Sequence, residues 1–133
     1  MAETFRLKII APTGVFFDDD IERVVIRGIE GELAILAEHT PLTTNVAIGT
    51  FNIIFADKKK KNGTLLGGIA TINPRETIIL TDAAEWPEEI DIKRAQEAKE
   101  RALKRIHDDK FDTARARAAL ERAIARINSK ENV

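Results

Sequence analysis

Polar and apolar positions alternate at the start of the chain, with Phe5, Leu7 and Ile9 apolar and Arg6 and Lys8 charged between them. A period of two predicts a strand with one buried face. The stretch "APTG" breaks it, and short β-branched or aromatic runs follow: "VFF", "ERVVIRGI", "ELAIL", "LTTNV", "TFNIIF", "TLLGGIATI" and "ETIILTD". Polar punctuation separates them: "DDD", "EG", "EHTP", "DKKKKNG" and "NPR". Short strands recurring about every eight to twelve residues predict an antiparallel sandwich or barrel, not βαβ units. In this reading Asp18 to Asp20 form a turn. Asn62–Gly63, between two strand-like runs, predicts a hairpin with lysines Lys58 to Lys61 at its solvated tip. Gly67 and Gly68 inside a strand predict a bulge or a close backbone approach. Five of the six Phe precede residue 56, which assigns the aromatic core to this part.

From Ala83 the period changes. "AAEWPEE" reads as a short linker holding the only Trp, and Pro87 ends the strand region. Beyond it Ile92, Ala95, Ala98, Ala102, Leu103 and Ile106 repeat every three to four positions, with Glu97–Arg101 and Glu100–Lys104 spaced as favourable i, i+4 pairs. "HDDKFD" interrupts this helix, and Asp112 is placed to cap a second, whose apolar stripe is Ala116, Leu120, Ala123, Ile124 and Ile127. Two helices of about 16 residues joined by a short polar turn make an antiparallel hairpin. The fold class expected is therefore mainly β plus α: an antiparallel β-sandwich over 1–84, then a linker and α-helical hairpin over 85–133. The hairpin seam is mostly alanine, which favours helix but supplies little packing energy, so its docking should be marginal.

Composition narrows the function. In 133 residues there is no Cys, hence no disulfide framework, thiolate nucleophile or Cys-ligated metal. The N-terminus lacks the basic start and apolar run of a signal peptide. No uninterrupted apolar stretch approaches the roughly 20 residues of a membrane helix, so membrane association is expected only through a partner. The net charge of -1 hides a division: Met1 to Glu89 holds 9 Lys+Arg and 14 Asp+Glu, Ile90 to Val133 holds 12 and 8. The basic C-terminal part is suited to an acidic partner or a phosphate.

Chemistry, if any, sits in that part. His39 has only Glu38 beside it, His107 lies in the inter-helix turn, and Asp18 to Asp20 lack the spacing of a calcium loop. No acid–base pair or metal set stands out, so an enzyme is not expected. On a helical wheel Arg115, Arg122 and Arg126 share a face within about 40°. None of the three has an acid three or four residues ahead, so Arg122 and Arg126 read as an unpaired cationic edge. Arg94 and Arg101 share a face of the first helix, and Asp91, its expected N-cap, stands three before Arg94. Antiparallel closure brings Asp91 and Arg94 to Arg122 and Arg126. Such a cluster of guanidiniums at a helix N-terminus suits a polyphosphate. A solvated arginine face with Asp91 only as a cap, and a basic module for nucleic acid or an acidic protein, remain open on spacing alone.

The segments "GIEGELAILAEHTPLTT" (Gly28 to Thr44) and "GGIATINPRETIILTDAAE" (Gly67 to Glu85), and the tail opening with "IDIKRA" (Ile90 to Ala95), closely resemble the epsilon subunit of bacterial F-type ATP synthases, the counterpart of chloroplast epsilon and mitochondrial delta. The resemblance implies a ten-stranded β-sandwich followed by a helical hairpin. It also implies a non-catalytic place in the central stalk, peripheral to the cytoplasmic face of the membrane, against the gamma subunit and the ring of c subunits. The C-terminal helices would either fold against the sandwich or extend toward the catalytic alpha and beta subunits and inhibit ATP hydrolysis. In similar proteins from thermophilic bacilli the folded hairpin binds ATP through Ile/Leu-Asp-x-x-Arg-Ala. Here that motif is complete as Ile90, Asp91, Arg94 and Ala95, and the resemblance adds Glu85, Arg101, Arg122 and Arg126. It implies ATP as a regulatory ligand and no catalytic cofactor, with base recognition around Ile90 and Asp91 and phosphate neutralisation by the four arginines.

Overall fold

The computed structural model describes residues 3–108 and 110–131. Residues 1 and 2, 132 and 133, and Asp109 of the expected inter-helix turn lie outside the described residues. Eight strands form one continuous sheet: β1 Phe5–Ala11, β2 Gly14–Ile21, β3 Arg23–Gly28, β4 Gly31–Leu36, β5 Leu42–Ile54, β6 Lys60–Ile72, β7 Glu76–Thr81 and β8 Ala84–Glu85. The order is β2-β1-β7-β6-β5-β3-β4, with β8 added on β6. Every pairing is antiparallel except β1 with β7.

The sheet doubles over along its two 13-residue strands. β5 and β6 stay in register from Leu42 opposite Ile72 to Ile54 opposite Lys60. The C-terminal half of β6 carries β7 and its N-terminal half carries β8. Between the halves Gly67 and Gly68 have φ of 85° and 141°, and a Cβ on Gly68 would overlap the Leu80 carbonyl oxygen. Here the expected close backbone approach is found, and only glycine accepts it. Because β5 and β6 run unbroken through both layers, the strand number among the described residues is eight and not the ten implied by the resemblance. One core results, with Leu7, Ile9, Val24, Ile26, Ile35, Phe51, Ile53, Leu65 and Ile79 all buried within it.

Two local expectations are corrected. Asp18 to Asp20 are not a turn but part of β2, where Asp18 faces Lys8 and Asp20 faces Arg6 across the ladder. Arg6 Nε donates to Asp18 Oδ1 at 2.6 Å. Opposite charges on facing strands hold an acidic run extended. The register shift beside Ile9 and Ile10 leaves Phe16 without a partner, so both Phe16 and Phe17 pack on the core. Likewise Asn62–Gly63 is not the hairpin turn. The strands close at Ile54 and Lys60, the tip uses Lys58 at φ 71°, and Asn62–Gly63 lies inside β6. Gly63 is required for space: a Cβ there would stand 2.6 Å from Phe51 and 2.8 Å from the Glu85 carbonyl oxygen.

Two helices follow, α1 Ile92–Ile106 and α2 Thr113–Glu131. They pack on one another, and α2 lies against β5 and β6. Asp112 caps α2 as expected, its Oδ1 accepting from the amides of Ala114 and Arg115. Among the described residues neither Glu97–Arg101 nor Glu100–Lys104 closes to within 4.0 Å.

Candidate functional site

The mouth of the hairpin is built on an anchored tryptophan. Trp86, read from sequence as linker, stacks on Phe16 with ring centroids 4.3 Å apart and meets Phe51 edge-on at 5.8 Å. Lys61 Nζ stands 4.1 Å over its ring. Glu89 Oε1 accepts from the Trp86 amide at 3.1 Å, closing the short 3-10 turn Pro87–Glu89, and the buried Ile90 donates its amide to the Pro87 carbonyl. The chain thus enters α1 at a fixed angle. Asp91 then caps the helix, its Oδ1 accepting from the Arg94 amide at 3.1 Å.

The other wall comes from the last turns of α2. Arg126 Nε donates to Glu85 Oε1 at 2.6 Å, with the two side chains 31% and 26% exposed. Lys130 Nζ donates to the Pro87 carbonyl at 2.9 Å, and Asn62 Nδ2 donates to the Ser129 carbonyl at 3.2 Å. These three contacts tie α2 to the sandwich and its exit.

Between the walls opens a cleft of about 380 Å³, lined by Glu85, Ile90, Asp91, Arg94, Ala95, Arg101 and Arg126 together with Glu89 and Ala98. That volume falls within the roughly 300–1,000 Å³ of small-molecule sites. Seven of the eight residues singled out from sequence therefore meet around one cavity. Arg122 does not line it. The eighth faces an adjoining cleft nearer the turn, which it shares with Arg101. The expectation that Arg126 is an unpaired cation is also corrected: within its helix it has no acid three or four positions away, but Glu85, 41 positions earlier, supplies one. Glu89 was missed; its capping distance from Trp86 is the only trace of it in the sequence. With three acids and three arginines the lining is balanced, offering donors and acceptors to a polar ligand. Of the three arginines only Arg126 is engaged by a carboxylate; among the described residues Arg94 and Arg101 have none within 4.0 Å.

A second feature lies on the sandwich. Val15, Ile10, Leu80 and Ile69 are successive partners across β2, β1, β7 and β6, on the face opposite the buried Ile9 and Ile79. Val15 is 66% exposed, Leu80 54% and Ile69 46%. Contiguous apolar surface of this kind marks an interaction face. No helix among the described residues is long and apolar enough to cross a membrane.

A β-sandwich with a docked helical hairpin, a polar cleft at the junction and an exposed apolar row defines a binding and assembly module. Comparison with known proteins agrees. Residues 4–87 match the family profile "ATP synthase, Delta/Epsilon chain, beta-sandwich domain" and residues 88–131 match "ATP synthase, Delta/Epsilon chain, long alpha-helix domain". The chain is 44% identical over 106 residues to the ATP synthase epsilon chain of Alkaliphilus metalliredigens, covering 80% of this chain and 78% of that one. It is also 44% identical over 106 residues to that of Caldicellulosiruptor saccharolyticus, covering 80% and 76%. Among solved structures it is similar to a chain of the Euglena gracilis mitochondrial ATP synthase, with a TM-score of 0.83 and 25% identity over 92% of this chain and 78% of that one. The chain belongs to the ATP synthase delta/epsilon family, as an epsilon-type subunit that is not itself the catalyst.

Proposed function

We propose that this chain is a rotor subunit of the central stalk of a proton-translocating ATP synthase, held at the cytoplasmic face of the membrane through its partners, and that its hairpin is an ATP-responsive regulator. The sandwich joins gamma to the c-ring, and the row Val15, Ile10, Leu80 and Ile69 is the face suited to an apolar protein partner. The similar Euglena chain comes from an assembly described as OSCP/F1/c-ring, which supports the stalk reading.

The regulatory reading is carried by one observation: Glu85, Asp91, Arg94 and Arg126, drawn from β8, the α1 cap, α1 and α2, line a single cleft. ATP bound there touches both helices. A ligand that binds only the closed hairpin stabilises it by RT ln(1 + [L]/Kd). When ATP falls, the hairpin opens, and the basic α2 becomes free to reach acidic surfaces of the catalytic alpha and beta subunits and inhibit hydrolysis. Asp91 and Ile90 serve the base, and Arg94, Arg101 and Arg126 the phosphates, with Arg122 reached by a phosphate tail that extends toward the turn.

The test is calorimetric titration of the full chain with ATP, ADP and GTP, with and without Mg²⁺, followed by thermal unfolding. ATP should bind selectively, and Arg94→Ala and Arg126→Ala should each weaken it about tenfold or more, the size of a lost charge-assisted contact. Unchanged ATP affinity in both variants would remove the nucleotide from this cleft.

A further inference from the structure

The face that β6 turns to α2 is polar where it is most deeply buried. On β6, Gly63 and Leu65 point to the core: a Cβ on Gly63 would meet the Phe51 ring, and Leu65 belongs to the central cluster. Asn62 and Thr64 therefore share the opposite face. Asn62 meets α2 directly, its Nδ2 donating to the Ser129 carbonyl. Thr64 has Thr50 of β5 and Glu85 of β8 beside it in the ladder. Glu85 accepts from Arg126 of α2, and Thr50 lines a cleft with Ile124, Ala125 and Asn128 of the same helix, so α2 reaches both neighbours of Thr64. Thr64 and Ser129 are each 0% exposed. Among the described residues neither Thr64 Oγ1 nor Ser129 Oγ has a hydrogen-bond partner. Two hydroxyls are thus stripped of water where helix meets sheet, and neither recovers a bond there.

We propose that these two hydroxyls are a release device: they raise the free energy of the docked α2 toward that of the detached helix, because Thr64 and Ser129 regain hydrogen bonds to water when it leaves. Val has nearly the shape of Thr, and Ala nearly that of Ser, so an apolar pair would fill the same interface without that cost. The contacts of Asn62, Arg126 and Lys130 hold α2 in place. The hydroxyls oppose them, and the difference sets how often the helix departs. Thr77 Oγ1 is a third buried hydroxyl without a partner among the described residues, but its ladder partners Leu7 and Ile72 belong to the sandwich core. It serves as the control. The inference rests on the reading that the hairpin detaches, and not on ATP as its ligand.

Native-state hydrogen exchange on the full chain, without nucleotide, tests it. In wild type the amides of α2 should exchange faster than those of β1 and β7, since detachment of the helix precedes unfolding of the sandwich. Thr64→Val and Ser129→Ala should each slow exchange in α2 about tenfold, and the double variant further, up to the limit set by the sandwich. Thr77→Val should slow the sandwich and leave α2 at its wild-type rate. Unchanged or faster exchange of α2 in the double variant, the result if a bridging water already satisfies both hydroxyls, overturns the proposal. Equal slowing of α2 by Thr77→Val does so too, because the effect then has no address at the interface. Equal rates for α2 and the sandwich in wild type would overturn the detachment itself, and the proposal with it. Failure of ATP to bind leaves all of these rates as they are.

Discussion

Replacing Glu85 by Gln keeps the shape of the side chain and removes the charge that holds Arg126. The pair spans 2.6 Å, with the side chains 26% and 31% exposed. It sits between two regimes: exposed ion pairs contribute about 0.2–1 kcal/mol, and breaking a fully buried pair costs about 3–5 kcal/mol. Gln retains a neutral acceptor for Arg126, so we expect Glu85→Gln to weaken docking of the hairpin by about 1–2 kcal/mol. Since about 1.4 kcal/mol is a factor of ten, amides of α2 should exchange with solvent about five to thirty times faster. Native-state hydrogen exchange, read by mass spectrometry or NMR, measures this directly. Amides of β1 and β7 should keep their wild-type rates, and at about 1 M salt, where the Debye length is about 3 Å, the difference should shrink. Unchanged exchange in α2, or an acceleration spread equally over the sandwich, would refute the assignment of Glu85 as the residue that holds α2 in place.

Gly68→Ala should destabilise the sandwich by about 2–4 kcal/mol, because the new methyl meets the Leu80 carbonyl and the residue must hold φ 141°; the denaturant midpoint reports it. Leu80→Glu should leave the unfolding midpoint of the isolated chain near wild type and reduce co-purification with the gamma subunit, since Leu80 is exposed in the apolar row. Hydrogen bonding from Arg6, and then its charge, hold the Asp18 carboxyl below the usual carboxylate range. A depressed carboxylate adds stability above its unfolded pKa of about 3.9, and that stability is lost as pH falls through the lower folded value. Asp18→Asn should therefore remove a small, salt-sensitive part of the acid limb of the stability profile below about pH 4, with the profile at neutral pH keeping its shape.

The strands of the sandwich were legible because each alternates on its own: Phe5, Leu7 and Ile9 carry their period without reference to any neighbour. Where the reading failed, the deciding partner was distant. Asp18 to Asp20 look like a turn until Arg6 and Lys8 stand opposite them. Asn62–Gly63 has the chemistry of a hairpin turn, but Gly63 is small so that Phe51 and the Glu85 carbonyl can approach, a demand of packing and not of the local backbone. The same division runs through the candidate site. Asp91 and Arg94 are a cap and its third residue, visible as spacing. The bond from Arg126 to Glu85 crosses from α2 to β8, and no helical wheel contains it. Trp86 was taken for linker because a single aromatic beside proline has no period, and only the register shift that turns Phe16 and Phe17 inward gives it a place.

The unequal filling of the two parts bears on how the hairpin works. The sandwich buries Leu, Ile, Val and Phe, each contributing about 1.5–3 kcal/mol, whereas the residues the helices bury are Ala95, Ala102, Ala116, Ala123, Ala125 and Ser129, near one methyl's worth apiece. Docking therefore leans on polar contacts, and the three that join α2 to the sandwich and its exit among the described residues lie near its C-terminal end: Arg126 to Glu85, Lys130 to the Pro87 carbonyl, and Asn62 to the Ser129 carbonyl. A ligand that draws Arg126 toward Asp91 and Arg94 strengthens the helix–helix seam while it removes one of those three. Closure of the hairpin and its attachment to the sandwich are thus separable in free energy, with Arg126 shared between them. Under saturating ATP, α1 and the facing turns of α2 should gain protection together, and the further contribution of the sandwich to α2 should then depend on Asn62 and Lys130. Substituting Asn62→Ala in that state should loosen α2 from β6 without opening the seam, an outcome that a single rigid clamp joining all three elements does not allow.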